Sequence, residues 1–359
     1  MEESGHFVRP LRIAITVDPE IPVPPVLYGG IERIVDMLVR GLVQRDHDVT
    51  LFAHPGSHVP CRLVPYPRLH SQKRTDTLAN MWHVSSAILR GRFDVVHSFA
   101  RLAYLAPLLP RAIPKIMSYG RCITSRSISL GNLLSRGTLH FTGCSEYLIQ
   151  RWFGRSNFHV IYNGVPLSYS PTERVNVDAP LAFLGRLEHF KGPHVAIEVA
   201  QRTGRQLVIA GNVPSGAVHK KYFDEYIRPH VDGKQIEYIG PVNDEQKNDL
   251  LRRSAALLFP LLGEEAFGMV MAEALACGTP VIAFKRGPTP EIVQHCVNGF
   301  VCGSVEEMVA AVGRLPEIDR RDCRRIAEEK FSDRVIVETY ERLYRRLVSA
   351  GSEVGHACS

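Results

Sequence analysis

The chain has 359 residues, 45% hydrophobic and 22% charged, a length for two domains and a composition that excludes disordered, fibrous and membrane-embedded proteins. Its net charge of +6 is uneven: residues 1–165 hold 19 Lys and Arg against 11 Asp and Glu, or +8, while the remainder holds 24 against 26, or −2. Eight scattered cysteines without a C-x-x-C pair, and histidines without H-E-x-x-H, exclude zinc-ribbon and zincin spacings and fit a reducing compartment.

The opening MEESGHFVRP is polar and lacks the apolar stretch of a signal peptide, and LAYLAPLLP (102–110) is too short and proline-broken to span a bilayer. A cytoplasmic location, peripheral on the inner face of the membrane, is the expectation. LRIAITVD then reads as a buried strand, IERIVDMLVRGLVQRD as an amphipathic helix through Ile31, Ile34, Val35, Leu38, Leu42 and Val43, and DVTLFA as a second strand. Strand, helix, strand is the βαβ unit of a parallel sheet. MWHVSSAILRG continues as helix, and FDVVHSF, KIMSYG, FTGCS and HVIYNG as strands. VPLSYSPTERVNVDAP (165–180), with three prolines, reads as a linker.

The alternation restarts with LAFLGR, QLVIAG, IEYIG, AALLFP and TPVIAF as strands and HVAIEVAQR, DEQKNDLLRRS and GMVMAEALAC as helices. DRVIVETYERLYRRLV closes the chain as a helix. The expected division is therefore 1–165, 166–335, and a C-terminal helix and tail at 336–359 that packs back on the first domain. Two α/β domains of this kind place ligands in loops at the carboxyl ends of their strands.

Two such loops carry chemistry. LAFLG runs into Gly185-Arg186 and then Lys191-Gly192. LLFP runs toward Glu265-Ala-Phe-Gly268, where a helix begins. A helix start offers free N–H groups and the positive end of its dipole, glycine lets a ligand approach the backbone, and Arg186 and Lys191 add cationic donors. This cradle suits a diphosphate. Glu265 and Glu273 flank it; carboxylates repel phosphate, so they suit hydroxyls on either side, one set from a ribose and one from a sugar.

The E-x7-E of EAFGMVMAE followed by ALACGTPVIAF, the loop GRLEHFKG, YGGIERIV after the first strand, DVVH, and VIYNGVPL together resemble the retaining family-4 glycosyltransferases of GT-B fold, over residues 11 to about 348. The resemblance implies two Rossmann-like α/β domains facing each other across a cleft and a nucleotide-sugar donor, a UDP-sugar first. It also implies a hydroxyl acceptor (glycan, lipid-linked or small molecule) and no metal or other cofactor. Glu265 would bind the donor sugar, Glu273 the ribose, and Arg186 and Lys191 the diphosphate, with Phe267, Gly268, Met269 and Val270 at the helix start. Gly29 and Gly30 would approach sugar and phosphate, and Val242 the base. Members often carry H-x-H after the third strand of the first domain. Here the second histidine is Phe99, leaving His97 as the candidate near the reacting centre.

Asp46-His-Asp48 imitates a metal-binding D-x-D, but falls at the sheet end away from the ligand loops. Arg121, Arg126 and Arg136, in what reads as an irregular Ser-rich loop region, are candidates to face an anionic or lipid-linked acceptor, and nothing resembles a nucleic-acid platform. A nucleotide-sugar 2-epimerase of the same fold and a non-catalytic sugar-nucleotide binder are the alternatives. The G-x-G-x-x-G of a dehydrogenase is missing from PVLYGGIER.

Overall fold

The computed structural model describes residues 9–26, 29–120, 125–152, 154–155, 157–167 and 171–356, without the side chains of 125–127 and 351–356. The first eight residues, Tyr28 of the YGG motif, Arg121, the Arg126 side chain and positions 168–170 of the expected linker lie outside this description. Two compact units form: Met1–Cys144 with Ile149–Ile161 and Ile336–Ser359, and Ser145–Leu148 with Tyr162–Val335.

In the first unit the chain runs β1 (Arg12–Thr16), α1 (Gly30–Gln44), β2 (Asp48–Ala53), β3 (Arg62–Pro65), α2 (Arg74–Arg90), β4 (Val95–Ser98), β5 (Lys115–Tyr119), α3 (Ser125–Ser135), β6 (Leu139–Gly143) and β7 (Phe158–Val160), while α4 (Glu146–Ile149), between β6 and β7, belongs up to Leu148 to the second. The seven strands make one parallel sheet in the order β3-β2-β1-β4-β5-β6-β7. Burial on both faces explains the largely apolar runs of β1 and β2 and the Val95-Val96 start of β4. Ile34, Val35, Leu38, Val39 and Leu42 form the buried stripe of α1.

The second unit runs β8 (Leu181–Leu184), α5 (Pro193–Thr203), β9 (Leu207–Ala210), α6 (Ala217–Tyr226), β10 (Ile236–Gly240), α7 (Asp244–Arg253), β11 (Ala256–Phe259), α8 (Met269–Ala276), β12 (Val281–Phe284), α9 (Thr289–Ile292), β13 (Gly299–Cys302), α10 (Val305–Gly313) and α11 (Arg320–Lys330). Its six parallel strands are ordered β10-β9-β8-β11-β12-β13. The strand order reverses between β8 and β11, the switch point at which such sheets bind ligands.

The last helix, α12 (Asp333–His356), belongs from Ile336 onward to the first unit. It lies against α1 at Gly41, where a Cβ would come within 2.4 Å of a Val337 methyl. Arg45, at the carboxyl cap of α1, pairs with Glu341 at 2.5 Å and Glu338 at 3.6 Å.

Several elements were not anticipated. They are β3, β13, α3, α4, α6, α9, α10 and α11. LAYLAPLLP folds mainly as a 3-10 helix, Leu102–Leu108. The expected linker is tied into the second unit. Val165 donates to Phe331 O at 2.8 Å and accepts from Asp333 N at 3.2 Å, and Thr172 donates to Cys277 O at 3.2 Å. Arg136 does not lie in an irregular loop: it is exposed, with φ 51°, at the carboxyl end of α3.

Candidate functional site

The loops after β8 and β11 are built against each other. Leu262 N–H and Gly263 N–H both donate to Phe190 O, at 2.7 and 3.2 Å. Gly192, at φ 74°, lies so close to Pro260 that a Cβ would sit 2.1 Å from its carbonyl oxygen. A left-handed glycine is required there on two counts, backbone conformation and space. The result sets the Lys191 ammonium in an ion pair with the Glu265 carboxylate, both side chains less than one-fifth exposed (17% and 19%). Arg186, at the end of β8, lies 3.0 Å from Glu188 and keeps 40% of its side chain exposed.

Gly268 ends the second loop in a left-handed conformation, φ 81°, and is the N-cap of α8. No side chain caps this helix; Met271 N–H turns back to Gly268 O at 2.9 Å, and the amides of Met269 and Val270 before it are the ones open to a ligand. Met269 and Val270 are half-buried. Phe267 is only 2% exposed and packs against Tyr162 and Phe331, with ring centroids 6.0 and 5.8 Å away. It therefore anchors the loop and offers a ligand its backbone alone.

Glu273, one turn into α8, pairs with Lys247 of α7 at 2.6 Å, and Lys247 also reaches Asp244 at 2.9 Å. Burial pulls the Lys247 ammonium down, but Glu273 and Asp244 outweigh it and hold its pKa above the ordinary lysine value. Val242 is half-buried, immediately before the Asn243 capping box that starts α7. The Glu265 loop has a further brace. Ser145 Oγ donates to Ala266 O at 2.6 Å, Tyr147 O–H donates to Glu264, and Glu291 accepts from the N–H groups of Glu146 and Tyr147 at 2.6 and 2.8 Å.

The second unit thus brings together Arg186, Lys191, Glu265, Gly268, Met269, Val270 and Glu273 on the loops and helix at its switch point. Lys247, Ser145 and Glu291 support them and escaped sequence reading. Lys247 looked like one charge among many in DEQKNDLLRR, and the other two partner loops far away in sequence.

In the first unit, Gly30 opens α1 with nothing within 4 Å of a Cβ built there, whereas a Cβ on Gly29 would strike Pro25 at 2.6 Å. Beside them lies Glu32, 7% exposed, which the sequence reading passed over. Burial, with Asp18 and Glu20 adding, raises its carboxyl above the usual range.

His97 needs correcting as a catalytic candidate. It is fully buried, with Nδ1 2.6 Å from Tyr344 Oη and Nε2 2.6 Å from Ser118 Oγ. Phe99 packs against it with ring centroids 4.2 Å apart and planes tilted by 37°. Both ring nitrogens are used within the unit, and burial lowers its pKa to about 3, so the ring is a neutral core group. His47 of the D-x-D is structural too: its Nδ1 accepts from Leu11 N–H at 3.0 Å.

Comparison with known proteins bears on the family and the fold. The chain matches the family model "Glycosyl transferases group 1" over residues 173–331 and "Glycosyltransferase Family 4" over 28–169. It is 22% identical to spore coat protein SA of Bacillus subtilis (strain 168) over 94% of this chain and 100% of that protein. AviGT4, a glycosyltransferase involved in avilamycin A biosynthesis, is similar in structure at a TM-score of 0.69 and 25% identity, covering 95% of this chain and 98% of its own. HepE of Anabaena in complex with UDP-glucose gives a TM-score of 0.70 at 18% identity, over 94% and 100% of the two chains.

Proposed function

This chain belongs to the group 1, family 4 glycosyltransferases and has their GT-B fold, and we propose that it moves a sugar from a nucleoside-diphosphate sugar, UDP-sugars first, to an acceptor hydroxyl with retention of configuration. The observation that carries this reading is the convergence of Arg186, Lys191, Glu265 and the uncapped Gly268 helix start at one switch point. The choice of uridine rests on the UDP-glucose held by the structurally similar HepE.

The diphosphate lies against the amides of Gly268, Met269 and Val270, with Arg186 and Lys191 as cationic partners. Glu265 takes donor-sugar hydroxyls, Glu273 the ribose and Val242 the base edge, and Gly30 offers an open backbone to the ligand. As the bond from the anomeric carbon to the phosphate oxygen breaks, negative charge grows on the diphosphate, and these preorganised donors stabilise it without a metal. A new bond forms from the anomeric carbon to the acceptor oxygen, and the acceptor proton passes to the departing phosphate oxygen on the same face. Glu265 is tied to Lys191 and committed to hydroxyls, so no covalent glycosyl-enzyme is invoked. The acceptor is a hydroxyl-bearing glycan, lipid-linked or small molecule; the +8 balance of residues 1–165 favours an anionic one. Among the described residues no helix is long and apolar enough to cross a membrane.

A thermal-shift screen of UDP-, GDP- and ADP-sugars tests the reading, because a ligand that binds the native state raises its apparent stability. The selected donor is then assayed with acceptors, with and without EDTA, and the product anomer is assigned by NMR. Retained configuration and EDTA resistance are expected. No stabilisation by any nucleotide sugar would overturn the proposal, and a 2-epimerised sugar released without an acceptor would replace it.

A further inference from the structure

The first unit holds a cavity of about 400 Å³ between its edge strand β7 and α12, lined by His159, Val160, Ile161, Thr339, Arg342, Leu343 and Arg346. Thr339, Arg342 and Arg346 recur at three- and four-residue intervals and so share one face of α12. Their surroundings are basic. Among the described residues, neither Arg342 nor Arg346 has a carboxylate in ion-pair range. The acids of that stretch of the helix are engaged elsewhere: Glu341 with Arg45 and Arg345, and Glu338 with Arg45. Arg342 Nη2 donates to Thr339 Oγ1 at 2.9 Å, and Arg346 Nη2 lies 3.4 Å from His159 Nδ1.

A guanidinium only donates, so His159 Nδ1 is the acceptor there, and its Nε2 carries the proton toward His140 Nδ1, 3.2 Å away. Both rings are half-buried and stacked, with centroids 5.4 Å apart. Burial first, and then neighbouring cationic groups including Arg346, lower both imidazoles to about 4, so they stay neutral. The other facing charge, Lys115 on β5, is capped by Arg111 O and Ile113 O, each at 2.7 Å. Two guanidinium groups one turn apart repel each other. Among the described residues no carboxylate in ion-pair range offsets that, but an anion would.

We infer that this cavity is an anion site for a phosphate group, carried either by a free phosphate or by a lipid headgroup. Arg342 and Arg346 grip its oxygens, with Thr339 Oγ1 steadying the Arg342 guanidinium, and His159 turns from acceptor to donor by taking a proton as the negative charge arrives. The site lies within the first unit and does not depend on the sugar-nucleotide reading.

Full-length protein with isotope-labelled histidine tests it. Inorganic phosphate should shift the His159 and His140 side-chain resonances of wild type, and R342Q/R346Q should weaken that response by at least about tenfold per guanidinium. Lys191→Ala should leave it unchanged, which separates this site from the donor loop. Phosphatidylglycerol vesicles that sediment wild type but not R342Q/R346Q, with phosphatidylcholine vesicles sedimenting neither, would assign the phosphate to a lipid. Histidine shifts without sedimentation would assign it to a soluble ester. The inference fails if wild type shows neither response, or if R342Q/R346Q responds as wild type does. Both arginines are exposed, so unchanged resonances elsewhere would verify that the variant is folded.

Discussion

Lys191 and Glu265 are a coupled pair, and that coupling can be measured. With both side chains less than one-fifth exposed, the Lys191 ammonium is a partly desolvated cation whose anionic partner among the described residues is Glu265. Lys191→Ala removes a charge-assisted contact to the diphosphate, worth about 1.5–3 kcal/mol, or roughly 10–150-fold in Kd. It also leaves the Glu265 carboxylate facing the diphosphate uncompensated. A like charge at a separation of ~6 Å costs ~3 kcal/mol at an effective dielectric near 20. Glu265→Gln in the Lys191→Ala background should therefore recover about tenfold of the lost affinity or more, a non-additivity expected of residues in contact. Glu265→Gln alone should bind the nucleoside diphosphate within about threefold of wild type, yet lower sugar transfer about 100-fold through lost transition-state contacts. Calorimetric titration of UDP into the four proteins, with initial rates on the nucleotide sugar, completes the cycle. A double variant that binds no better than Lys191→Ala, or a Glu265→Gln protein that no longer binds the bare nucleotide, would refute the reasoning.

Other expectations follow from the same geometry. Lys247→Met strands the Glu273 carboxylate, so unfolding stability should fall by about 1–3 kcal/mol and nucleotide affinity should drop with it, read by denaturant titration and calorimetry. Gly192→Ala forces a Cβ to 2.1 Å from Pro260 O at φ 74° and should cost about 1–3 kcal/mol together with nucleotide affinity. Gly30→Ala has open space around it and should leave Tm unchanged while weakening donor binding. His97 has a folded pKa depressed to about 3 from an ordinary 6.5, so the unfolded chain takes up a proton that the native ring refuses. Stability should be full above pH 6.5 and fall as pH drops toward 3, and His97→Gln should flatten that slope in pH-dependent denaturation curves.

Much of this arrangement was legible along the chain because the parallel strands are buried on both faces and stand out as apolar runs. The Gly268 helix start, the GRLEHFKG loop and the Glu265–Glu273 spacing were readable because each is local. What stayed hidden was relational. Lys247 meets Glu273 across two helices, and Ser145 and Glu291 brace a loop more than a hundred residues from one of them. β3 (RLVP) and β13 (GFVC) are four-residue edge strands with little pattern to show. His97 misled because a strand-end histidine reads alike as ligand or core group; its partner Tyr344 lies 247 residues away. The loop once expected around Arg136 proved to follow a helix whose Leu130 and Leu133 are exposed, which blurs amphipathic periodicity.

The most direct test of the central claim is a backbone amide spectrum of the full-length protein titrated with the nucleotide sugar selected by stability screening. The account predicts that the N–H resonances of Gly268, Met269 and Val270 move downfield on binding, together with those of the Arg186–Lys191 loop, and that R186A/K191A abolishes these shifts at the same ligand concentration. Saturable binding that leaves the Gly268 helix start unmoved would contradict it.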